Sequence, residues 1–286
     1  MAKLLTPDRL LAAAVFLVEY FHMKKLRLSV RLLPFFLLCF NFAADPAAAL
    51  QSGATSGGLP AIASAAALAP FSLGAAVDER YDRGIAAMYR LEFDKAESEF
   101  RDIIRLDTAN PAGYFALAAL SWWKYSQSFD VQADFRALED EFMLNAENTI
   151  RVSKEGVKKG LRLDHAYFFM GSAYGIEGRW YAVQRRWFKA YTHGNKGRKL
   201  LKKSVALNPG IYDAYLGLGI FDYFTDALPG VLKIPALLFI HGDRKRGIEE
   251  VRLALEKGRF LSIESRLFLL EILSRHEKDY KAALVE

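Results

Sequence analysis

The chain has 286 residues, of which 52% are hydrophobic and 25% charged, a balance that excludes an intrinsically disordered protein. A single cysteine, Cys39, excludes an intramolecular disulfide and any zinc site built from several cysteines. The formal net charge is +6, but residues 1–49 hold six basic and three acidic residues, so the remaining chain has a balance of only +3. The overall charge therefore gives no indication of nucleic-acid binding.

The N-terminal region has the order of features typical of a secretory signal peptide. Basic residues follow Met23, an apolar run occupies residues 32–42, and small residues end at Ala49. The apolar run is short and contains Pro34, which disfavours a transmembrane helix. A cleaved signal peptide is the first interpretation and a retained membrane anchor is the second. Either one predicts export to the periplasm or cell envelope, with membrane association if the anchor is kept.

The segments on either side of this signal have weaker patterns. Residues 1–22 precede the signal-peptide pattern, and we expect translation to start at Met23, so that the assigned gene start lies too far upstream. The targeting region is then 1–49, with the signal peptide at 23–49. Residues 50–77 are rich in Ala, Gly, Ser and Pro without an amphipathic period, which predicts a linker.

The first helix pair is predicted over residues 78–91 and 93–105. Gly84 and Ala96 are small residues spaced to face each other, so the two helix axes can approach to about 8–10 Å. Phe100 is expected to fill the space towards the next unit. Two helices separated by a short turn and followed by Asn-Pro make a unit of 34 residues.

Related spacings of small and large residues return further along the chain. Later first helices are predicted around Ala118, Gly171 and Gly219, where side chains larger than glycine or alanine would not fit. Their second helices do not follow at once, and inserted segments are expected within units two, three and four. A fifth unit begins near residue 263, and its second helix is cut off at Glu286.

This pattern resembles the tetratricopeptide repeat, in which small residues mark the helix contacts and large ones fill the spaces between. The resemblance covers residues 78–286, with the last repeat incomplete. It implies an all-α, right-handed α-solenoid of antiparallel helix pairs, here with lengthened connections inside the repeats. The phrase from Tyr212 to Gly219, with Leu228-Pro229-Gly230 after it, is also similar to exported bacterial proteins of this family without assigned activity.

The sequence lacks the motifs that indicate catalysis or cofactor binding. The five histidines are scattered, and the stretch from Gly194 to Lys199 lacks the spacing and the Ser or Thr of a phosphate-binding loop. No nucleophile elbow or Cys–His arrangement occurs. We therefore expect no enzyme activity, no cofactor, no metal and no small-molecule substrate.

The resemblance implies a protein- or peptide-binding scaffold whose concave groove is lined by the first helix of each pair. Helical spacing from the small contact residues predicts which side chains share that face. These residues are Tyr81, Met88, Phe115, Trp122, Phe168, Leu216 and Tyr223. They are mainly aromatic and apolar, so an apolar or aromatic peptide is expected. The alternative is that the inserts fold back and fill the groove, making these residues ordinary core.

A basic-aromatic insert at residues 179–203 offers a second surface. No acidic residue occurs from Gly178 to Tyr212, and aromatic residues alternate with the basic ones. The insert is interpreted either as a solvated basic helix packed by its aromatic residues, or as a contact for an anionic surface. Export argues against nucleic acid as the partner. The predicted contact residues are Arg179, Arg185, Arg186, Lys189 and Lys199.

An apolar insert at residues 228–240 contains one charge, Lys233. It is expected either to pack over neighbouring helices or to contact a membrane or a protein. Together the two inserts define the alternative function, a peripheral membrane-surface component that docks through both of them.

Overall fold

The computed structural model of the chain describes residues 71–127, 134–226 and 242–286. Within these ranges the protein is all-helical, contains no strand, and packs its helices against neighbours in chain order. This confirms the predicted all-α class for the described part, in an arrangement compatible with a helical solenoid. The targeting region 1–49 and the apolar insert 228–240 lie outside the described residues.

Ten α-helices and one π-helical turn account for nearly all of this part of the chain. The helices are α1 (Ala75–Tyr89), α2 (Phe93–Leu106), α3 (Pro111–Gln127), α4 (Arg136–Lys158), α5 (Leu163–Val183), α6 (Trp187–Leu207), α7 (Ala214–Asp226), α8 (Arg244–Lys257), α9 (Ser262–Glu271) and α10 (Tyr280–Ala283), and the π-helical turn (Ile272–His276) lies between the last two. None of these described helices is both long enough and apolar enough to cross a bilayer.

The first helix pair forms where its apolar spacing predicts. In α2 the buried residues Ala96, Phe100 and Ile103 recur every three to four positions, so they make one apolar stripe that packs on α1. Gly84 lies against the ring of Phe100, and a Cβ atom added there would overlap that ring. Phe100 therefore packs against Gly84 inside the first pair, where Ala96 is also fully buried, and a direct contact between Gly84 and Ala96 stays a prediction.

Polar side chains set the ends of several helices. The side-chain oxygen of Asn110 accepts a hydrogen bond from the N–H of Ala112 at 3.0 Å, and α3 begins at Pro111 between them. Proline is tolerated at the first helical position because its missing N–H has no partner there in any case. At α8 the carboxylate of Asp243 accepts the N–H of Arg246 at 3.0 Å and caps the helix.

The third unit has no inserted segment, contrary to the prediction. Helices α5 and α6 are each 21 residues long and are joined by residues 184–186 alone. The turn is sharp because Arg185 adopts a left-handed backbone conformation, with φ of 60°. The residues that exceed the usual repeat length therefore extend the two helices, and the connection between them stays short. The connections of units two and four include residues outside the described part.

Residues 71–77 belong to the packed protein and correct the predicted end of the linker. Phe71 is buried, with its ring centroid 5.2 Å from that of Phe168 and 5.5 Å from that of Phe260. Helix α1 already begins at Ala75. The apolar Phe71 and Leu73 outweigh the small-residue composition around them, because burial of large side chains stabilises this end of the fold.

The turn between α8 and α9 packs on the start of α1. The guanidinium of Arg259 donates to the carboxylate of Asp78 at 2.9 Å and to the carbonyl oxygen of Phe71 at 3.2 Å. Beside it, the rings of Tyr81 and Phe260 have centroids 4.8 Å apart. The turn between α8 and α9 is therefore in contact with α1, and Phe260 belongs to the same hydrophobic core as Phe71 and Tyr81.

Candidate functional site

The face predicted to line an open peptide groove is buried. Its side chains are covered by described residues from distant parts of the chain, such as Phe260 over Tyr81 and Trp180 beside Trp122. These side chains are therefore core residues, which is the alternative to an accessible groove: Phe260 covers Tyr81, while Arg179 and Trp180 of the basic-aromatic insert cover Trp122. The residues, each at most 6% exposed, are Tyr81, Met88, Phe115, Trp122, Phe168, Leu216 and Tyr223.

Arg179 was predicted to contact an anionic surface, but its guanidinium is engaged inside the protein. It lies between the rings of Trp122 and Phe268, at 4.4 and 4.3 Å from their centroids. It also donates to the carboxylate of Glu264 at 2.8 Å. Stacking on two rings and pairing with a carboxylate satisfy this cation, so Arg179 links α3, α5 and α9.

The other four residues of that prediction are exposed. Arg186 and Lys189 lie over the ring of Tyr181, at 5.0 and 5.1 Å from its centroid. Among the residues that the structure describes, none of the four forms an ion pair. A contact between them and an anionic surface stays a prediction.

A regular series of lysine–tyrosine contacts runs along α5 and α6. Three lysines of α6, spaced seven residues apart, each place an ammonium group over a tyrosine ring of α5, and those tyrosines are also seven residues apart. The pairs are Lys189 with Tyr181 at 5.1 Å, Lys196 with Tyr174 at 5.3 Å and Lys203 with Tyr167 at 5.3 Å. We call this series the lysine–tyrosine ladder. Within the described ranges its lysines form no ion pair, so their charges face solvent unmatched.

A cleft of about 460 Å³ opens beside the middle of the ladder. Helix α5 forms its floor, with α4 along one side and α6 along the other. Both α4 and α6 pack on α5. The lining residues are Glu147, Ile150, Arg151, Lys154, Glu155 and Lys158 of α4, Tyr174 and Glu177 of α5, and His193 and Lys196 of α6.

Positive charge exceeds negative charge around this cleft. On α4, Arg151 pairs with Glu155 at 3.3 Å, and both side chains are exposed. Lys154 and Lys158 are exposed and find no carboxylate partner in the described part of the chain. With Lys196 on the opposite side, the cleft presents three unmatched ammonium groups, which favour an anionic ligand.

Glu177 and His193 meet at the floor of the cleft. Glu177 is 5% exposed, and its Oε2 atom lies 3.6 Å from Nε2 of His193 without a hydrogen-bond partner. The Nδ1 atom of His193 lies 2.9 Å from the carbonyl oxygen of Lys189 and donates its proton there. In a neutral imidazole Nε2 is then an acceptor, so two acceptors face each other with no donor between them.

Burial controls the protonation of this pair. It raises the pKa of Glu177 to about 7, with a smaller increase from Glu147 and an opposing effect from Lys196. Burial also lowers the pKa of His193, an effect to which the neighbouring Lys196 and Lys189 add. Near pH 7 Glu177 on the floor of the cleft therefore gains and loses a proton easily.

The ladder could have been found from the sequence, since both sets of residues recur at seven-residue intervals. Glu177 gave no such signal, because its burial depends on how α4 and α6 pack on α5. In the described residues, no group of three or more His, Cys, Asp or Glu side chains clusters as metal ligands would. No protein family, curated protein or solved structure matches this chain.

Proposed function

We propose that the chain is an exported helical-repeat scaffold that binds a protein or peptide partner in the cell envelope, without catalysis or a cofactor. Packing of successive helices in chain order supports this proposal. The ladder supports antiparallel pairing of α5 and α6, because the residue numbers of its lysines rise along α6 while those of the paired tyrosines fall along α5. A right-handed solenoid of such pairs is the arrangement that the likeness to tetratricopeptide repeats implies.

The docking site that we propose is the cleft together with the lysine–tyrosine ladder. The observation that carries this choice is the set of unmatched ammonium groups on two sides of a concave surface, with Lys154 and Lys158 across from Lys196. The apolar face of the first helices is closed, so it offers a partner little surface. We therefore assign partner binding to the cleft above α5 and not to the apolar face.

A peripheral membrane-surface component is the second candidate. It would dock through the basic-aromatic insert 179–203 and the apolar insert 228–240. Exposure of Arg185, Arg186 and Lys189 on one side of the α5–α6 turn favours it, because unpaired cations bind anionic headgroups.

Matched charge reversals separate these functions. Lys196→Glu/Lys203→Glu changes two ladder lysines, and Lys245→Glu/Lys281→Glu makes the same charge change at exposed lysines of α8 and α10. For a scaffold, we expect cross-linking in envelope fractions to recover partners with the wild type and the control, and to lose them with the ladder variant. All three should retain the same helicity by circular dichroism.

The outcomes are distinct for the two candidates. A membrane-surface protein should co-float with anionic vesicles in a density gradient, and the ladder variant should not. The binding of the wild type should weaken as salt screens the charges. Identical partners for both variants would contradict the proposed docking site, and the absence of vesicle binding by the wild type would contradict the membrane-surface candidate.

Export is tested separately by N-terminal sequencing of the native protein. We expect a mature terminus near Leu50, produced from a precursor that starts at Met23. A retained Met1, or native protein found only in the cytosol, would contradict this part of the proposal.

A further inference from the structure

The spacing of the ladder suggests the shape of its ligand. Its lysines recur every seven residues along α6, which corresponds to about 10.5 Å at the rise of an α-helix. An extended peptide advances about 3.3 Å per residue, so three residues cover the interval between two lysines. Carboxylates at every third position of an extended chain would therefore meet successive ammonium groups.

We propose that the cleft and the ladder bind an extended acidic peptide segment of a partner protein, with carboxylates at about every third residue, and that docking is favoured by protonation of Glu177. This inference rests on the proposed scaffold function and names the chemistry of the partner. It replaces the apolar peptide expected from the sequence, because the apolar face is closed and the accessible cleft is cationic.

The side of the cleft formed by α4 favours a peptide over other anions. Along it Glu147 and Glu155 alternate with Arg151, Lys154 and Lys158. A nucleic-acid strand carries a phosphate on every nucleotide and would place negative charges against those two glutamates. A peptide carries side-chain carboxylates that can pair with the lysines, and backbone N–H groups that can donate hydrogen bonds to the glutamates.

The floor of the cleft favours a ligand that enters it. Oε2 of Glu177 is buried and lacks a donor, so its charge acts on a ligand from beneath the floor and not through direct contact. The concave cleft between α4 and α6 admits an extended chain, whereas a flat bilayer surface would contact only the exposed lysines at its edges.

Several charged and titratable groups decide how binding responds to pH. Glu147 faces Glu177 from α4, while His193 and Lys196 face it from α6. On α5 itself, Glu177 raises the pKa of Tyr174 and of Tyr181, in both cases after the larger effect of burial. Ionised Glu177 repels a carboxylate ligand, and protonation removes that repulsion.

The sign of the pH effect follows from these groups. As the pH falls from 8 to 6, Glu177 passes through its pKa of about 7 and becomes neutral, so affinity for an acidic peptide rises. We expect a gain of about tenfold, since protonation of Glu177 removes the repulsion between its carboxylate and that of the ligand. Protonation of His193 at still lower pH adds to the gain.

The test uses the full chain and synthetic peptides of about twelve residues, a length that covers the ladder when extended. One fluorescent peptide carries Glu at every third position, the second carries Gln there, and the third carries the same number of Glu residues in one block. Fluorescence anisotropy should show tightest binding to the spaced Glu peptide, weaker binding to the block, and none to the Gln peptide. Binding of the spaced peptide should weaken as salt is raised.

Three protein variants complete the experiment. Lys196→Glu/Lys203→Glu should abolish peptide binding, while Lys245→Glu/Lys281→Glu retains it. Glu177→Gln should bind at pH 8 as tightly as the wild type binds at pH 6, and should lose most of the pH dependence. Equal affinity for the Glu and Gln peptides, or unchanged binding by the ladder variant, would overturn the proposal.

Failure of this inference can be told apart from failure of the scaffold function. Preferential binding of anionic vesicles or of a single-stranded oligonucleotide would overturn the acidic-peptide assignment. Loss of envelope partners by the ladder variant, without peptide binding by the wild type, would overturn the ligand class alone. If the ladder variant also keeps every partner, the proposed docking site fails as well.

Discussion

Replacing Asp222 with alanine is expected to lower the free energy of unfolding by about 3 kcal/mol. Asp222 lies on α7 and is 2% exposed. Its carboxylate accepts from Nε of Arg198 on α6 at 2.9 Å and from Nε of Arg246 on α8 at 2.8 Å. The substitution leaves two guanidinium groups close together without their shared partner, which costs more than the loss of the hydrogen bonds alone.

The expected loss of about 3 kcal/mol is at the lower end of the range for breaking a buried ion pair. Both arginines are partly exposed, so water can solvate them in the variant. Urea unfolding followed by circular dichroism measures the change. Asp82→Ala is the matched control, since its pair with Arg259, at 3.4 Å, lies at the surface. The control should change stability by less than about 1 kcal/mol. Similar losses for Asp82→Ala and Asp222→Ala would show that burial of the carboxylate is not what matters.

Gly219→Ala is expected to destabilise the protein by about 1–3 kcal/mol, although alanine is normally the better helix former. Gly219 lies where α7 crosses α8. A Cβ atom there would be 2.5 Å from the carbonyl oxygen of Gly247 and 2.9 Å from the backbone nitrogen of Val251. Backbone atoms of a packed helix cannot rotate aside as a side chain can, so the two helices would have to separate.

Gly175→Ala provides the comparison within the same fold. Gly175 is also in the interior of a helix, α5, but an added Cβ atom meets nothing within 4 Å. This variant should be as stable as the wild type, or more stable by up to about 1 kcal/mol from helix propensity. Melting temperatures measured by calorimetry should therefore fall for Gly219→Ala and hold or rise for Gly175→Ala. Equal melting temperatures for both variants would contradict the close approach of α7 and α8.

Features that depend on neighbours in the sequence were predictable. The apolar stripe of α2 and the Asn110-Pro111 turn needed only local spacing and backbone chemistry. The positions of Gly84, Gly171 and Gly219 at tight helix contacts could also be predicted, since added Cβ atoms would meet Phe100, Leu201 and Gly247 respectively. The identity of those contact residues depends on the angle between the helices, so the packing of the Phe100 ring against Gly84 could not be predicted.

Features that depend on distant parts of the chain could not be predicted. An open groove follows from the repeat pattern only if the last helices stay away from the first. Phe260 and Arg259 instead pack on α1, and nothing in the periodicity of either segment indicates that contact. The acid–imidazole pair of Glu177 and His193 was missed for the same reason, since it forms between helices whose packing sets its burial.

The contact between Arg259 and Asp78 joins residues 181 positions apart and changes how the protein unfolds. In an open array of repeats, each unit contacts only its neighbours, so the ends can fray independently and folding can begin at any unit. Here the start of α1 and the turn between α8 and α9 cannot separate without breaking the aromatic core around Phe71 and Phe260. This contact therefore couples distant segments into one cooperative transition, and it slows folding because loops spanning most of the described chain must close before the native contacts form.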